Sequence, residues 1–358
     1  MHFIRLQFFK YLFFLPAISM FVLAGCSHSS QIYNRDSQGE PSTSDYTAIY
    51  YIHADNDYLY HLSDGTPVRA NEKVLNSAIE VAEKAVSGEV FIFHQKSQKK
   101  RLWLFPRNQS EYYHFRNGTL QHYKKYRYTS GDEVLFDTEA EIFKADRAKV
   151  IPPDHQTHFF YFGHEIPRDQ GGHYNRSMSR MEVNTESFSS GVKRFLTGDQ
   201  FLDLVVLSTC NNATPTMAKQ LMLFTKYLLA SPQNLHLSHI DTDAMSLLET
   251  NESISSLELA QTMASQTFDR LSSEVFTAIT LSIIDLKKVQ NYIDVLDAHV
   301  TSYIKVNNPD PFPDNIDCQD LSFFNTEDYS DGIISFYRPA KFGRPSRSDS
   351  HSGWGCKK

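Results

Sequence analysis

Residues 201–218 read FLDLVVLSTCNNATPTMA, an apolar run that ends at a cysteine and continues into polar, turn-prone residues. The run FLDLVVLS has the composition of a strand buried on both faces, as in parallel sheets that helices cover on both sides. Cys210, which follows it, has two interpretations. It is either a small apolar residue that ends a buried strand or a thiol held at a strand's end for chemistry.

A second apolar run, THFFYFG at 157–163, stops in the same way and is followed by His164. Helical patterns lie between the predicted strands, so the sequence favours an α/β fold with a mostly parallel central sheet. In such sheets, ligands bind at the carboxyl ends of the strands. His164 and Cys210 both follow strand ends, and we therefore expect them on the same rim of the sheet.

Composition and periodicity predict the remaining elements of the fold. Strands are expected at 46–54, 89–95, 101–107, 111–117, 277–285 and 332–338, and helices at 71–86, 214–230, 254–272 and 286–304. The basic cluster KSQKKR at 96–101 is expected to form the solvated tip of a hairpin. A chain of this length buries a core that needs no disulfides for stability.

The N-terminus has the layout of a secretory signal. In residues 1–26, two basic residues precede an apolar centre, and small residues precede a cysteine. The tetrapeptide Leu-Ala-Gly-Cys at 23–26 resembles the lipobox of bacterial lipoproteins, in which the cysteine, here Cys26, carries the lipid. The alternative is an ordinary signal peptide cut near Ala24. Ser27 after the cysteine favours the outer membrane of a Gram-negative host.

Residues 27–45 are polar and contain Gly and Pro, so they predict a flexible spacer between the lipid and the folded domain. The domain itself is expected over 46–358. Together these segments predict a protein of the bacterial cell envelope that contacts the membrane through an N-terminal lipid.

Net charge argues against nucleic acid as a partner, and the spacing of the histidines argues against a metal site among them. The formal net charge is −7 and no basic run dominates the sequence, which argues against nucleic acid. Histidines crowd positions 155, 158, 164 and 173, but they lack the spacing of metal ligands on one element, so no metal site is expected.

The four cysteines fall in different surroundings. Cys26 is assigned to the lipid. Cys318 and Cys356 lie in a polar C-terminal region, where an oxidising compartment favours a disulfide between them. Cys210 is left as a lone thiol, which is either reactive or buried and inert.

A cysteine nucleophile needs a neighbouring imidazole that takes the thiol proton and later returns a proton to the leaving amine. His164 is placed to serve Cys210 in this way. The tetrahedral intermediate also needs donors, which the backbone N–H of Cys210 and one beside His164 would supply. From these residues alone, a catalytic dyad and an inert thiol both remain open.

Six segments resemble, in order and spacing, the clostripain-like cysteine peptidases, which are relatives of caspases, legumains and gingipains. The segments are YIHADNDY (51–58), FYFGHE (160–165), LDLVVLSTCNNATPTMA (202–218), YLLASPQN (227–234), TAITLSIIDLKKV (277–289) and GIISFYRP (332–339). The resemblance implies a three-layer α/β/α sandwich of the caspase and hemoglobinase type. It also implies an endopeptidase for protein or peptide substrates, with Cys210 as nucleophile, His164 as base and an acyl-enzyme intermediate.

The same resemblance sets further expectations. The backbone N–H groups of Cys210 and Glu165 would bind the oxyanion. Self-cleavage is common in the family, and the polar segment 168–194 is a candidate loop for it; a mobile loop that is never cut is the alternative. Calcium is compatible with the resemblance, but the sequence has no motif for it, so no cofactor is predicted. We expect a monomer.

Two residues depart from the family pattern. Glu165 stands where the family has Gly after the histidine, and Ser208 stands where it has Asp two residues before the cysteine. Both are expected in the substrate pocket. Without the Asp carboxylate, selection for Arg or Lys is weakened unless Glu165, Asp241 or Asp243 compensates. The alternative function is a catalytically inactive fold relative that acts as a surface binding or scaffold lipoprotein.

Overall fold

The computed structural model of the protein describes residues 44–54, 59–61, 64–96, 110–127, 134–169, 183–236, 238–251, 253–307, 316–342 and 349–356. The strands are β1 (Tyr46–Ala54), β2 (Leu59–His61), β3 (Pro67–Arg69), β4 (Gly88–Lys96), β5 (Ser110–Arg116), β6 (Thr119–Tyr126), β7 (Gln156–Phe162), β8 (Leu202–Ser208), β9 (Thr225–Ala230), β10 (Ile279–Asp285), β11 (Ile316–Asp317), β12 (Ile333–Arg338) and β13 (Gly355–Cys356). The helices are α1 (Ala70–Lys84), α2 (Asp137–Asp146), α3 (Thr185–Lys193), α4 (Pro215–Leu221), α5 (Leu247–Thr250), α6 (Ser256–Glu274), α7 (Leu286–Val289), α8 (Ile293–Asn307) and α9 (Thr326–Tyr329), with 3₁₀ turns at Asp243–Ser246 and Cys318–Asp320.

The central sheet has the strand order β12-β10-β9-β8-β7-β1-β4-β5-β6 among the described residues. Its five middle strands, from β9 to β4, are parallel. The two strands at each edge are added in antiparallel pairings. The predicted mostly parallel centre is therefore confirmed.

Helices cover both faces of this sheet. Along β1, Ile49 and Tyr51 belong to an apolar core that α2, α3, α4 and α8 close, whereas Tyr50 and Ile52 belong to a second core closed by α1 and α6. All nine residues of β1 are buried as a result. The three-layer sandwich is confirmed, and burial on both faces explains why its strands read as continuous apolar runs.

The expected helix over 214–230 is wrong in its second half. Only Pro215–Leu221 is helical, and Thr225–Ala230 forms β9 between β8 and β10. The inner residues Leu228 and Leu229 are fully buried on opposite faces of the sheet. An apolar run buried on both sides has neither helical nor strand periodicity, so the pattern alone does not distinguish the two.

The expected helix over 286–304 is divided into α7 and α8. Between them, the N–H groups of Asn291 and Tyr292 donate to the carbonyls of Lys288 and Val289, three residues earlier. This tighter turn interrupts the α-helical hydrogen bonding.

The sequence did not predict β6 or α2. β6 is an edge strand whose residues are exposed at nearly every position, so its sequence TLQHYKKY has no apolar alternation. α2 is short and is attached to the core mainly through Ala140 and Phe143.

Several predicted features lie outside the described residues. They are the signal segment 1–26, the spacer up to residue 43, the strand at 101–107 and most of the basic cluster at 96–101. Ser44 and Asp45, assigned to the spacer, are instead held against the domain: the N–H of Asp45 donates to the Ser87 carbonyl at 3.0 Å. Within the described ranges, none of the helices has the length and apolar character needed to cross a membrane.

Candidate active site

The parallel pairing of β7 with β8 places the loop carrying His164 beside the loop carrying Cys210. The last paired residues are Phe162 and Ser208. The N–H of Gly163 then donates to the Ser208 carbonyl at 3.4 Å. His164 and Cys210 each follow this pair by two residues, at the carboxyl ends of neighbouring strands.

Beyond these two residues, side chains continue the same register. The Asn211 amide donates to the Glu165 carboxylate at 2.8 Å. Asn212 makes two bonds with the backbone of Ile166: its Oδ1 accepts from the Ile166 N–H at 3.0 Å, and its Nδ2 donates to the Ile166 carbonyl at 2.9 Å. The residue pairs 162/208, 165/211 and 166/212 share one offset, so the loops run side by side past the candidate dyad.

Asn212 is the centre of this connection. It is 2% exposed, and its Oδ1 also accepts from the Thr209 hydroxyl at 2.6 Å. Three hydrogen bonds therefore hold one amide side chain between the two loops. We call the contact of Asn212 with Ile166 and Thr209 the asparagine clamp.

The packing around His164 requires a glycine before it. A Cβ at Gly163 would lie 2.8 Å from the Tyr161 hydroxyl, which is closer than side chains tolerate. That hydroxyl shares a hydrogen bond of 3.1 Å with Nδ1 of His53, a buried side chain. The His53 ring in turn meets His164 edge-on, with 6.3 Å between ring centroids. Gly163, Tyr161 and His53 thus form one side of the His164 environment.

Cys210 is half-buried at the start of a sharp turn and forms no disulfide within the described residues. The next residue, Asn211, has φ of +53°, in the left-handed region that Asn tolerates better than most residues. The thiol donates to the carbonyl of Leu235, with 3.2 Å between sulfur and oxygen. Cys210 therefore faces the segment that follows β9.

Ser208 is hydrogen-bonded to the segment that follows β9. It has no exposed surface, and its hydroxyl donates to the His236 carbonyl at 3.3 Å and accepts from the Ile240 N–H at 3.2 Å. The sequence placed Ser208 in the substrate pocket as a lining residue. In the structure its hydroxyl is bound to the backbone of His236 and Ile240, and the side chain is fully buried. We call the described residues 235, 236 and 238–240 the wall of the rim.

Two histidines in this wall are held neutral by burial. Burial, together with smaller contributions from the nearby charges of His164 and Lys73, lowers the pKa of His236 to about 4. Burial likewise lowers the pKa of His239 to about 3, with the charge of His236 adding to the effect. Tyr60 packs on His236 with 4.7 Å between ring centroids. At neutral pH this wall carries no positive charge on either imidazole.

Of the three acidic residues that could compensate for the missing Asp carboxylate, two are bound by other side chains and the third is exposed. Asp241 accepts a hydrogen bond of 2.6 Å from Nε of Arg270. The carboxylate of Glu165 is bound by the Asn211 amide. Asp243 is exposed at the start of a 3₁₀ turn.

The candidate cleavage segment 168–194 is shorter than the sequence suggested. Residues 185–193 form α3, which Asn184 caps by accepting from the Ser187 N–H at 2.8 Å. Phe188 and Val192, four residues apart, are buried in the core. The amphipathic helix α3 thus replaces the second half of the expected loop. Residues 170–182 of the segment lie outside the described residues.

The C-terminal tail supports the loop after Cys210. A disulfide joins Cys318 to Cys356, and the preceding residue, Gly355, donates its N–H to the Ala213 carbonyl at 2.8 Å. Trp354 is fully buried and donates its indole N–H to the Tyr329 carbonyl at 2.9 Å. The tail is therefore part of the framework behind the site.

Comparisons with known proteins support this architecture. No protein-family model matches the chain, and no curated protein sequence matches it. Among solved structures, a secreted C11 cysteine protease from Bacteroides thetaiotaomicron in complex with an irreversible peptide inhibitor has a TM-score of 0.49 and 11% identity, over 73% of this chain and 70% of that one. An inactive zymogen C11 protease from Parabacteroides distasonis has a TM-score of 0.46 and 12% identity, over 74% of this chain and 68% of that one.

A secreted C11 cysteine protease from Bacteroides thetaiotaomicron called iotapain superposes over 88% of this chain and 93% of its own, with a TM-score of 0.53 and 12% identity. The chain therefore has the C11 protease fold. At this identity the likeness concerns the fold, and it confirms the fold implied by the sequence resemblance to clostripain-like peptidases. The C11 fold carries a cysteine and a histidine here at neighbouring strand ends.

Sequence reasoning identified the two central residues and missed their supports. Asn212 lies only two residues from Cys210, whereas His53 and Leu235 reach the site from distant positions in the sequence. No local motif identifies any of the three as a support. A polar Asn directly behind a predicted strand end was the available signal for Asn212. The carbonyl of Leu235 offers no signal, because any residue has one.

Proposed function

We propose that this protein is an exported cysteine endopeptidase in which Cys210 is the nucleophile and His164 the general base. The register of β7 and β8, continued by the asparagine clamp, carries this proposal, because it brings an imidazole and a thiol to one rim. The C11 fold provides the same architecture in iotapain, a cysteine protease. Proteins or peptides are the substrates we propose, since iotapain, which shares this fold, is a cysteine protease.

The reaction begins with transfer of the Cys210 proton to His164. In the structure that proton is directed at the Leu235 carbonyl, so the thiol leaves this acceptor when the thiolate–imidazolium pair forms. The thiolate attacks the carbonyl carbon of the scissile peptide bond, and its oxygen becomes an oxyanion. The backbone N–H groups of Cys210 and Glu165 bind that oxygen.

The C–N bond then breaks as His164 gives its proton to the leaving amine, which leaves an acyl-enzyme on Cys210. A water molecule gives its proton to His164 and attacks the thioester. The acid product leaves, and the thiol is restored. Glu165 supplies its N–H to this cycle while the Asn211 amide holds its carboxylate.

Specificity and location complete the proposal. Because Ser208 is covered and Asp241 is paired with Arg270, we expect only weak preference for Arg or Lys before the cleaved bond. The N-terminal lipid on Cys26, followed by the spacer, ties the domain to the cell envelope. Self-cleavage, where it occurs, falls in the part of 168–194 that precedes α3.

Thiol labelling and peptide cleavage test the assignment together. The full chain is treated with iodoacetamide from pH 5 to pH 8, and a mixed peptide library is digested with wild type, Cys210→Ala, His164→Ala and the control His299→Ala. His299 is an exposed histidine on α8. We expect rapid labelling of Cys210 that persists below pH 7, and cleavage that only the first two variants lose. If Cys210 labels only after unfolding, the result would instead favour the alternative function. In that case the protein is a catalytically inactive relative of the fold that acts as a surface binding or scaffold lipoprotein.

A further inference from the structure

Three metal-ligand side chains meet at the edge of the sheet formed by β5 and β6. His114 on β5 is paired directly with His122 on β6. Asp146, the last residue of α2, lies above them. One ring nitrogen of each histidine and one carboxylate oxygen of Asp146 lie within 4.8 Å of one another, the one such group found in the described part of the chain. We call these residues the edge triad.

His114 is the buried member of the edge triad, with 1% of its side chain exposed. Its Nε2 lies 2.8 Å from a carboxylate oxygen of Glu89. Since a carboxylate oxygen accepts, Nε2 carries the hydrogen, and the lone pair of the neutral ring is on Nδ1. Nδ1 is buried and has no hydrogen-bond partner among the described residues. A buried nitrogen lone pair of this kind is suited to a cation.

The Glu89–His114 pair is the arrangement commonly found behind histidine metal ligands. A carboxylate that accepts from one ring nitrogen fixes the tautomer and makes the other nitrogen a better ligand. Glu89 is itself held in place: it accepts from the Ala148 N–H at 3.0 Å and from Nε of Arg116 at 2.9 Å. The support for His114 is therefore preorganised.

Asp146 is hydrogen-bonded to two side chains, and a cation could displace one of them. Its Oδ2 accepts from the Tyr112 hydroxyl at 3.0 Å and from Nζ of Lys124 at 3.2 Å. The Lys124 side chain is 53% exposed, so it can move into solvent. Lys124 is thus a cation that competes for the Asp146 carboxylate, while the Tyr112 hydroxyl keeps that carboxylate oriented.

We propose that the edge triad binds a zinc ion, with Nδ1 of His114, a ring nitrogen of His122 and a carboxylate oxygen of Asp146 as ligands. Two imidazoles and one carboxylate are a ligand set that zinc accepts, with water in the fourth position. Calcium requires six to eight oxygen ligands, which this cluster does not offer. The bound ion links the exposed β5–β6 edge to α2. Neither strand is part of the candidate active site.

Zinc binding is measured on the full chain carrying Cys210→Ala, so that the active-site thiol does not contribute. Competition with a chromophoric chelator is expected to show one zinc ion per chain. Adding His122→Ala weakens the affinity by at least tenfold, and Asp146→Asn acts in the same direction. The exposed control His299→Ala leaves the affinity unchanged. Lys124→Gln strengthens it, because it removes the competing ammonium group.

Two further readouts separate a bound ion from an indirect effect of substitution. Cobalt is expected to give a visible d–d absorption in the Cys210→Ala chain that His122→Ala abolishes. Zinc is expected to raise the midpoint of thermal unfolding of the parent and not that of the His122→Ala chain. The inference is overturned if the parent binds no zinc, or if its affinity is the same with His122→Ala and with His299→Ala.

Discussion

Replacing Asn212 by Ala tests how the two loops of the site are held together. The substitution removes all three bonds of the asparagine clamp, two to the Ile166 backbone and one to the Thr209 hydroxyl. Each buried hydrogen bond contributes about 1 kcal/mol net, so the free energy of unfolding should fall by about 3 kcal/mol. Thr209→Val removes one of the three bonds and is the matched control, with an expected loss of about 1 kcal/mol.

The same change should disturb catalysis through position, since Asn212 fixes the backbone two residues beyond His164. A displacement of roughly 1 Å between reacting groups lowers rates by about 100-fold. We expect kcat to fall by this order while KM changes little, because the clamp lies behind the rim. Labelling of Cys210 below pH 7 should slow in parallel, as the imidazole no longer stabilises the thiolate.

Urea unfolding, peptide hydrolysis and iodoacetamide labelling are measured on wild type, Asn212→Ala and Thr209→Val. A loss of stability without any change in kcat or in the pH profile of labelling would refute the positioning role. A loss in Asn212→Ala no larger than that in Thr209→Val would refute the assignment of the bonds to Ile166.

Three other predictions concern single positions. Gly163→Ala should lower kcat with little loss of secondary structure by circular dichroism, because its Cβ would displace the Tyr161 hydroxyl; normal activity would contradict this reading. Burial lowers the pKa of His158 to about 4, below its unfolded value, so the stability tied to it is complete above pH 6.5 and falls as the pH drops towards 4. Burial also lowers the pKa values of His236 and His239, which contribute to the same acid loss in both proteins. Urea titrations should therefore show a loss between pH 7 and pH 5 that is about 2 kcal/mol smaller in His158→Leu than in wild type; an equal pH dependence in the variant would exclude His158 as a source. Cys356→Ser should lower the unfolding free energy by about 4 kcal/mol for a cross-link to Cys318 spanning 38 residues, and an unchanged peptide mass after reduction would show that no disulfide exists.

Most strands of the central sheet could be predicted, because a strand buried on both faces has a largely apolar local composition. β1 occupies the residues expected for it, 46–54, and β8 differs from its prediction by one residue. The region 214–230 could not be assigned from pattern, because a strand buried on both faces and a buried helix have the same apolar content. The segment is divided into α4 and β9 because its second half occupies the position between β8 and β10 in the sheet.

At the β6 edge of the sheet, prediction from sequence fails because the strand is not apolar. β6 is polar and exposed, so nothing in its own sequence identifies a strand. It exists because β5 offers a row of backbone partners. The alignment of His114 with His122 is a consequence of that pairing, and a search for metal-ligand spacing along one element therefore does not find it.

By itself, the sequence determined the class of fold and the placement of His164 and Cys210 after neighbouring strand ends. Apolar runs that end at Gly163-His164 and at Thr209-Cys210 suffice for this, since parallel strands place their carboxyl ends on one rim. The tertiary structure decided what surrounds the pair. Contacts of Asn212 with Ile166, and of Ser208 with His236, depend on backbone groups that every residue possesses. Only the packed chain selects which of those groups meet.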